Sequence, residues 1–222
     1  MATINQIIYN IKNISKGGLS SDDNPISDRL IKHWISVERS ALLKAYLDKE
    51  KASIQSAEQS LGCVYLVCVD RSECDSIGIY SKEYISRTEN KIPIPLDTEK
   101  MGQMITRVST IYGEPIEFTS ETISVYSKYK KYGSKLKRAF IRNEYLYIEN
   151  SKELELVKID GIFQDPELVN NFMNCDGTVC YSDDDNYPIP ESMISNLIEI
   201  VIKKYLNISL TTQQDKNNDA NN

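Results

Sequence analysis

The stretch CVYLVCV at residues 63–69 is where the chain changes from helical to β-strand patterning. All seven residues are apolar, and three of them are the β-branched residue valine. A short continuous apolar run of this kind predicts a strand that is buried on both faces. The residues before it repeat apolar side chains at helical spacing, whereas those after it form short runs separated by Gly, Pro and Asp. The chain is therefore expected to begin with helices and to continue as a β-rich region.

The residues before this strand predict a helical hairpin. Thr3 and Gln6 have the spacing of a capping box, and Gly17-Gly18 supplies a helix stop. A second, longer helix is expected to begin at Pro25 or Ser27 and to continue to about residue 50. The first helix places its isoleucines on one face, and so short a helix with so apolar a face needs a partner surface.

The residues after the strand predict a small antiparallel β unit with extended arms. Residues 138–150 predict a β-hairpin with its turn at Arg142-Asn143-Glu144, and residues 153–163 alternate as another strand. The segment KIPIPLD (91–97) is expected to be an extended arm, because proline cannot donate to a central ladder. Residues 123–137 are interpreted as a loop with partial strand character. Further strand candidates are 76–81, 104–113 and 115–120.

The C-terminal part returns to helical patterning. Asp165-Pro166 is expected to start a short helix, the last helix spans about 190–206, and the polar residues after it are expected to be disordered. The predicted fold class is therefore α+β. The expected divisions are an N-terminal helical hairpin over 1–60, a β-rich region over 61–165, a C-terminal helical region over 166–207 and a flexible tail over 208–222.

Composition is typical of a globular protein without a membrane or secretory segment. Of the 222 residues 41% are hydrophobic and 26% are charged, and the net charge is −6. This charge argues against nucleic-acid binding by the whole surface, although a local basic patch stays possible. No apolar run approaches the roughly 18 residues that span a bilayer, and the N-terminus does not resemble a secretory signal. We expect a cytoplasmic chain whose cysteines (63, 68, 74, 175 and 180) are reduced thiols.

No motif for catalysis or cofactor binding is evident. His33 is the one histidine, so a two-histidine metal site is excluded, and we interpret it as structural. Neither a phosphate-binding glycine loop nor a CxxC pair occurs. Asp183-Asp184-Asp185 lacks the glycine that an EF-hand loop requires, which leaves an irregular divalent-ion site as the alternative to a solvated loop. We therefore predict a non-enzyme without a cofactor or a structural metal.

One segment of this acidic chain combines basic and aromatic residues. Such a segment could bind nucleic acid, contact an acidic partner protein, or form an ordinary solvated face. The sequence leaves these alternatives open. The residues of this basic-aromatic patch are Tyr126, Lys128, Tyr129, Lys130, Lys131, Tyr132, Lys135, Lys137 and Arg138.

In the order of its elements the chain resembles the portal-to-tail adaptor, or ring, proteins of short-tailed bacteriophages, most closely those of the crAss-like phages. The stretches that carry the resemblance are TINQIIYNIKN, SSDDNPISDRLIKHWISVERSALLKAYL, QSLGCVYLVCVDRSEC, EYLYI, IDGIFQDPELV and IPESMISNLIEIVIKKYL.

This resemblance implies a structural virion protein, made in the host bacterial cytoplasm, that repeats as a ring of about twelve copies. It implies partners in the portal protein and in other tail or ring proteins, and a channel through which viral DNA passes without specific binding. The alternative function is a nucleic-acid-binding accessory protein that uses residues 126–138. The candidate ring-interface residues are Ile4, Ile7, Ile8, Ile11, Ile14 and Trp34.

Overall fold

The computed structural model describes residues 2–15, 26–50, 54–70, 84–127, 136–151 and 153–206. Within these ranges the helices are α1 (Ile4–Ser15), α2 (Asp28–Glu50), α3 (Glu121–Ser127) and α4 (Glu191–Tyr205), with 3₁₀ turns at Gln55–Ala57 and Pro166–Asn171. The strands are β1 (Gln59–Asp70), β2 (Tyr84–Thr88), β3 (Asp97–Thr98), β4 (Gly102–Gln103), β5 (Ile105–Thr110), β6 (Pro115–Phe118), β7 (Arg138–Arg142), β8 (Tyr145–Glu149) and β9 (Leu156–Gly161).

Helices α1, α2 and α4 form one layer. The predicted capping box starts α1: the Thr3 amide donates to Gln6 Oε1 at 3.1 Å, and the Gln6 amide donates to Thr3 Oγ1 at 3.3 Å. Helix α4 packs against both α1 and α2. The residues that connect α1 to α2 lie outside the described ranges, so the helical hairpin stays a prediction, as do the flexible tail and the domain boundaries.

Seven of the described strands close into a barrel, in the order β1-β2-β8-β7-β6-β5-β9. The expectation of a small antiparallel unit is therefore wrong, although the α+β class is confirmed. Closure depends on pairs that are distant in the sequence, such as β1 with β9, and on a parallel pair, β6 with β7. Strand β3 pairs only with β4, outside the barrel.

The strand that contains CVYLVCV exists, but within this stretch only Val64 is buried. Tyr65 points to the outside and is 62% exposed, because the outer face of β1 lacks the covering layer that an open parallel sheet would have. Cys68 lies on the same face as Val64 and is exposed as well, so burial of the inner face ends before the end of β1. The expectation of burial on both faces is therefore wrong.

The remaining predicted elements have mixed outcomes. The 138–150 hairpin is confirmed, and its turn residues Asn143 and Glu144 have φ of 50° and 68°, as a two-residue hairpin turn requires. The short helix after Asp165 is a 3₁₀ turn, which the Asp165 carboxylate caps by accepting from the Glu167 amide at 3.1 Å. The interpretation of residues 123–137 as a loop is wrong for the part that forms α3. The strand candidate at 76–81 lies outside the described residues.

Arg39 joins the helical layer to the barrel. Its guanidinium is fully buried and donates to the carbonyls of Pro188 at 2.7 Å and Phe163 at 2.8 Å. Ser40 Oγ on the same helix donates to the Gln164 carbonyl at 2.7 Å. These bonds fix α2 across the end of the barrel at which β9 terminates. We call this the helical end.

The opposite, distal end of the barrel carries the turn 111–114 and the loop 150–155. Asn150 Nδ2 donates there to the Leu136 carbonyl at 3.0 Å, which places the entry to β7 at the same end. In the strand ladders Arg138, the first residue of β7, pairs with Glu117 of β6 and with Glu149, the last residue of β8. Because β8 leads into the loop 150–155, this register also places the start of β7 at the distal end.

A disulfide joins β1 to a short hairpin at residues 173–179, which follows the 3₁₀ turn Pro166–Asn171. Cys63 and Cys175 are bonded with a Cα–Cα distance of 5.0 Å, so the expectation that every cysteine is a free thiol is wrong for this pair. The hairpin can approach because position 62 is glycine: a Cβ there would lie 2.5 Å from the Cα of Asn174. The two cysteines are 112 residues apart, a separation at which spacing rules carry no information.

Candidate interaction surfaces

The isoleucine face of α1 lies inside the protein. Ile4, Ile7, Ile8 and Ile11 are buried in the main hydrophobic cluster, together with side chains of α2 and α4. Ile14 is 40% exposed and lies outside that cluster. The partner surface that the sequence requires for α1 is thus largely provided by the chain's own helices.

Trp34 takes part in a contact between α2 and α4. Its ring stacks on Tyr205 with centroids 4.8 Å apart. One turn further along α2, the buried Glu38 accepts from Lys204 Nζ at 2.7 Å and from the Tyr205 hydroxyl at 2.8 Å. Burial raises the pKa of Glu38, but the hydrogen bonds from Lys204 and Tyr205 outweigh it, so the pKa lies below its ordinary value.

The outward face of α2 carries an exposed ridge, composed of Leu30, His33, Val37, Ala41 and Lys44. Leu30 and Val37 are 43% and 42% exposed and lie two turns apart, with His33 between them on the same face. The neighbouring isoleucines Ile31 and Ile35 face the other way and are buried. His33 belongs to the ridge.

The basic-aromatic patch is divided by the fold. Tyr126 at the end of α3 is 69% exposed, and Lys137 is half-buried. Arg138 is buried in β7, where its Nε donates to Glu117 Oε2 at 3.0 Å. Its charge is therefore directed to Glu117 rather than to the surface. The other patch residues, Lys128, Tyr129, Lys130, Lys131, Tyr132 and Lys135, lie outside the described residues.

An open groove at the distal end of the barrel is absent from the sequence-based candidates. It has a volume of about 160 Å³. The Gly113-Glu114-Pro115 stretch was a sequence signal for one side of it, since glycine and proline mark a turn and turns lie at the surface. The other side of the groove is formed by the loop before β9, which lies next to this turn because β5 and β9 pair in the barrel. The groove is lined by Ile111, Tyr112, Glu153, Leu154, Glu155 and Leu156.

The acidic loop at 183–185 is held against α2. Lys32 Nζ pairs with the Asp183 carboxylate and lies 3.8 Å from Glu167 Oε1. Burial is the main cause that raises the pKa of Glu167. Asp185 caps its own loop by accepting from the Ser182 amide at 2.8 Å. Among the described residues, no group of three or more His, Cys, Asp or Glu side chains could hold a metal ion.

In the part of the chain that the structure describes, no helix is both long enough and apolar enough to cross a membrane.

The family model of phage tail ring protein 2 matches residues 6–222. The chain belongs to this family. It is also similar to Ring protein 2 of Bacteroides phage crAss001, with 28% identity over 235 aligned positions that cover 97% of this chain and 96% of the relative.

Membership of the phage tail ring protein 2 family confirms the resemblance found in the sequence. A ring protein of a crAss-like phage is a structural component of a virion, and its family is not one of enzymes. The absence of enzymatic activity in this chain stays a prediction.

Proposed function

We propose that the chain forms a homo-oligomeric ring at the portal–tail junction of a virion, as a head-to-tail adaptor or as a ring of the tail barrel. The observation that carries the proposal is the match to the phage tail ring protein 2 family over residues 6–222. We further propose about twelve copies, arranged so that the ring extends the channel for viral DNA.

Neighbouring copies pack through their helical layers. A cyclic ring uses head-to-tail contacts, so each copy presents two different surfaces that complement each other. We assign the ridge on α2 as one of them, because it exposes Leu30 and Val37 on a helix of 23 residues whose opposite face is fixed in the core. The exposed Ile14 of α1 extends the candidate interface, whereas the buried isoleucines of α1 hold the layer rigid.

The ring docks on the portal protein and on other tail or ring proteins, and DNA passes through it without specific binding. A net charge of −6 is consistent with passage, since an acidic chain does not retain a polyanion. The basic-aromatic patch contacts protein in this arrangement. The chain is made in the host bacterial cytoplasm and acts in the virion.

The test is native mass spectrometry and negative-stain electron microscopy of the full chain, alone and with the portal protein of the same phage. We expect closed rings, and we expect the double variant Leu30→Glu with Val37→Glu to stay monomeric with unchanged circular dichroism. A matched control is Glu99→Lys with Asp184→Lys, which alters two exposed positions outside the ridge. A wild-type chain that stays monomeric under both conditions, together with virions that lack the protein at the neck, would refute the proposal.

A further inference from the structure

The distal groove combines an apolar floor with an acidic rim. Ile111 and Tyr112 project from the β5–β6 turn, where Gly113 has a φ of 88° and lets the turn reverse tightly. On the other side, Leu154 and Leu156 are half-buried, and the carboxylates of Glu153 and Glu155 are exposed.

Three carboxylates lie at or beside the rim of the groove. Glu153 and Glu155, and Glu114 of the neighbouring turn, are exposed and form no ion pair with any of the residues that the structure describes. The described cation at this turn is Arg107, whose Nη2 donates to the Gly113 carbonyl at 3.0 Å. Exposed carboxylates of this kind suit a cationic partner.

The residues that the structure describes leave the groove open. Tyr112 is 89% exposed, the highest value among the exposed large hydrophobic residues of the described ranges, and Ile111 is 42% exposed. An exposed aromatic side chain next to an apolar cleft and exposed carboxylates suits a segment that carries both lysines and aromatic rings.

This chain itself contains such a segment. Residues 126–137 include five lysines and three tyrosines, and no Asp or Glu. The segment enters the barrel at Leu136, whose carbonyl accepts from Asn150 Nδ2 at 3.0 Å. The groove and the C-terminal end of the segment therefore lie at the same end of the barrel.

Ring geometry makes this shared end significant. Rotation about a ring axis keeps every point of a copy at the same height, so two complementary surfaces of one chain must lie at the same level to meet in neighbouring copies. We propose that the distal groove binds the basic segment, residues 126–137, of a neighbouring copy. This inference rests on the proposed ring and names a contact by which its copies pair.

Charge reversal tests the contact. Glu153→Lys with Glu155→Lys, and separately Lys130→Glu with Lys131→Glu, are each expected to weaken self-association at least about tenfold in sedimentation velocity. Combining the four changes restores opposite charges across the contact, so rings should return. The control variant Glu99→Lys with Asp184→Lys should assemble as the wild type does.

A second measurement requires no variant. Rings assembled from equal amounts of ¹⁴N- and ¹⁵N-labelled chains are treated with a zero-length carbodiimide cross-linker and digested. We expect mixed-isotope peptides that join Glu153 or Glu155 to lysines of the 128–137 region. Cross-links confined to single-isotope peptides would overturn the inference.

The outcomes separate the inference from the proposed function. Rings that are unaffected by both charge reversals overturn the inference and leave the proposed ring intact. A wild-type chain that never assembles, together with virions that lack the protein at the neck, overturns both. Loss of binding to a fluorescent DNA duplex in the Lys130→Glu, Lys131→Glu variant, with normal assembly, would overturn the inference in favour of a nucleic-acid role for the segment.

Discussion

Replacing Arg39 by methionine should lower the free energy of unfolding by about 2–5 kcal/mol. The side chain is fully buried, and its guanidinium donates to two carbonyls at 2.7 and 2.8 Å, with a third carbonyl, that of Ala57, at 3.5 Å. The third contact is too long to contribute much. Methionine fills most of the volume but leaves two buried carbonyls without donors, and each unpaired group costs about 1–3 kcal/mol.

The opposing effect is the removal of a buried charge. Burial lowers the pKa of Arg39, which shows that the site disfavours the cation. A buried ion pair can often be replaced by apolar residues without loss because both partners are removed together. Here the acceptors are backbone carbonyls that no side-chain substitution removes. We therefore expect the loss of hydrogen bonds to exceed the gain from removing the charge.

The assay is urea unfolding of the monomer, followed by the fluorescence of Trp34. This residue is the one tryptophan of the chain, and it stacks on Tyr205 across the contact between α2 and α4. Arg107→Met is the matched control, because Arg107 is exposed and donates one hydrogen bond, to Gly113. Its effect should be within about 1 kcal/mol. An Arg39→Met protein as stable as the wild type would contradict the role of Arg39 in joining the helical layer to the barrel.

Two further predictions concern other links in the fold. The pKa of Glu38 lies below its ordinary value of 4.5, so its contribution to stability is complete above pH 4.5 and is lost as the pH falls through the lower, folded-state value. Glu38→Gln should cost about 1–2 kcal/mol at pH 7 and flatten the acid limb of a stability-against-pH curve, whereas an unchanged curve would exclude Glu38 as its cause. Cys63→Ser opens a loop of 112 residues, for which chain entropy gives a loss of up to about 5 kcal/mol. Thermal unfolding of Cys63→Ser should begin well below that of Cys68→Ser, and identical melting of the two would show that the disulfide does not stabilise the protein.

Local signals gave correct expectations for several elements of the fold. The capping box of Thr3 and Gln6, the turn at Asn143-Glu144 and the start of the short helix at Asp165 depend on residues within a few positions of each other. Barrel closure was not predictable in this way, because β1 pairs with β9 over almost 100 residues of intervening chain. The pairing of Cys63 with Cys175 is equally distant in the sequence, at a separation of 112 residues.

The candidate surfaces show the same limit. The isoleucine pattern of α1 correctly indicated a buried face, but a pattern does not say whether the cover is the same chain or a neighbour. Arg138 belongs to a basic stretch by sequence, yet it lies in a strand and pairs with Glu117. The distal groove joins two segments about 40 residues apart, so no local pattern describes it.

The sequence by itself determined which side chains are apolar, where helices and turns begin, and which family the chain resembles, because these properties depend on residue type and near neighbours. Only the tertiary structure decided which apolar residues of α2 are buried, that most of the strand at 63–69 stays outside the core, and that the groove and the entry of the basic segment share one end of the barrel. The physical reason is that burial and proximity depend on long-range pairing. The same seven apolar residues at 63–69 would be covered on both faces in an open parallel sheet, whereas in this barrel only Val64 among them is buried.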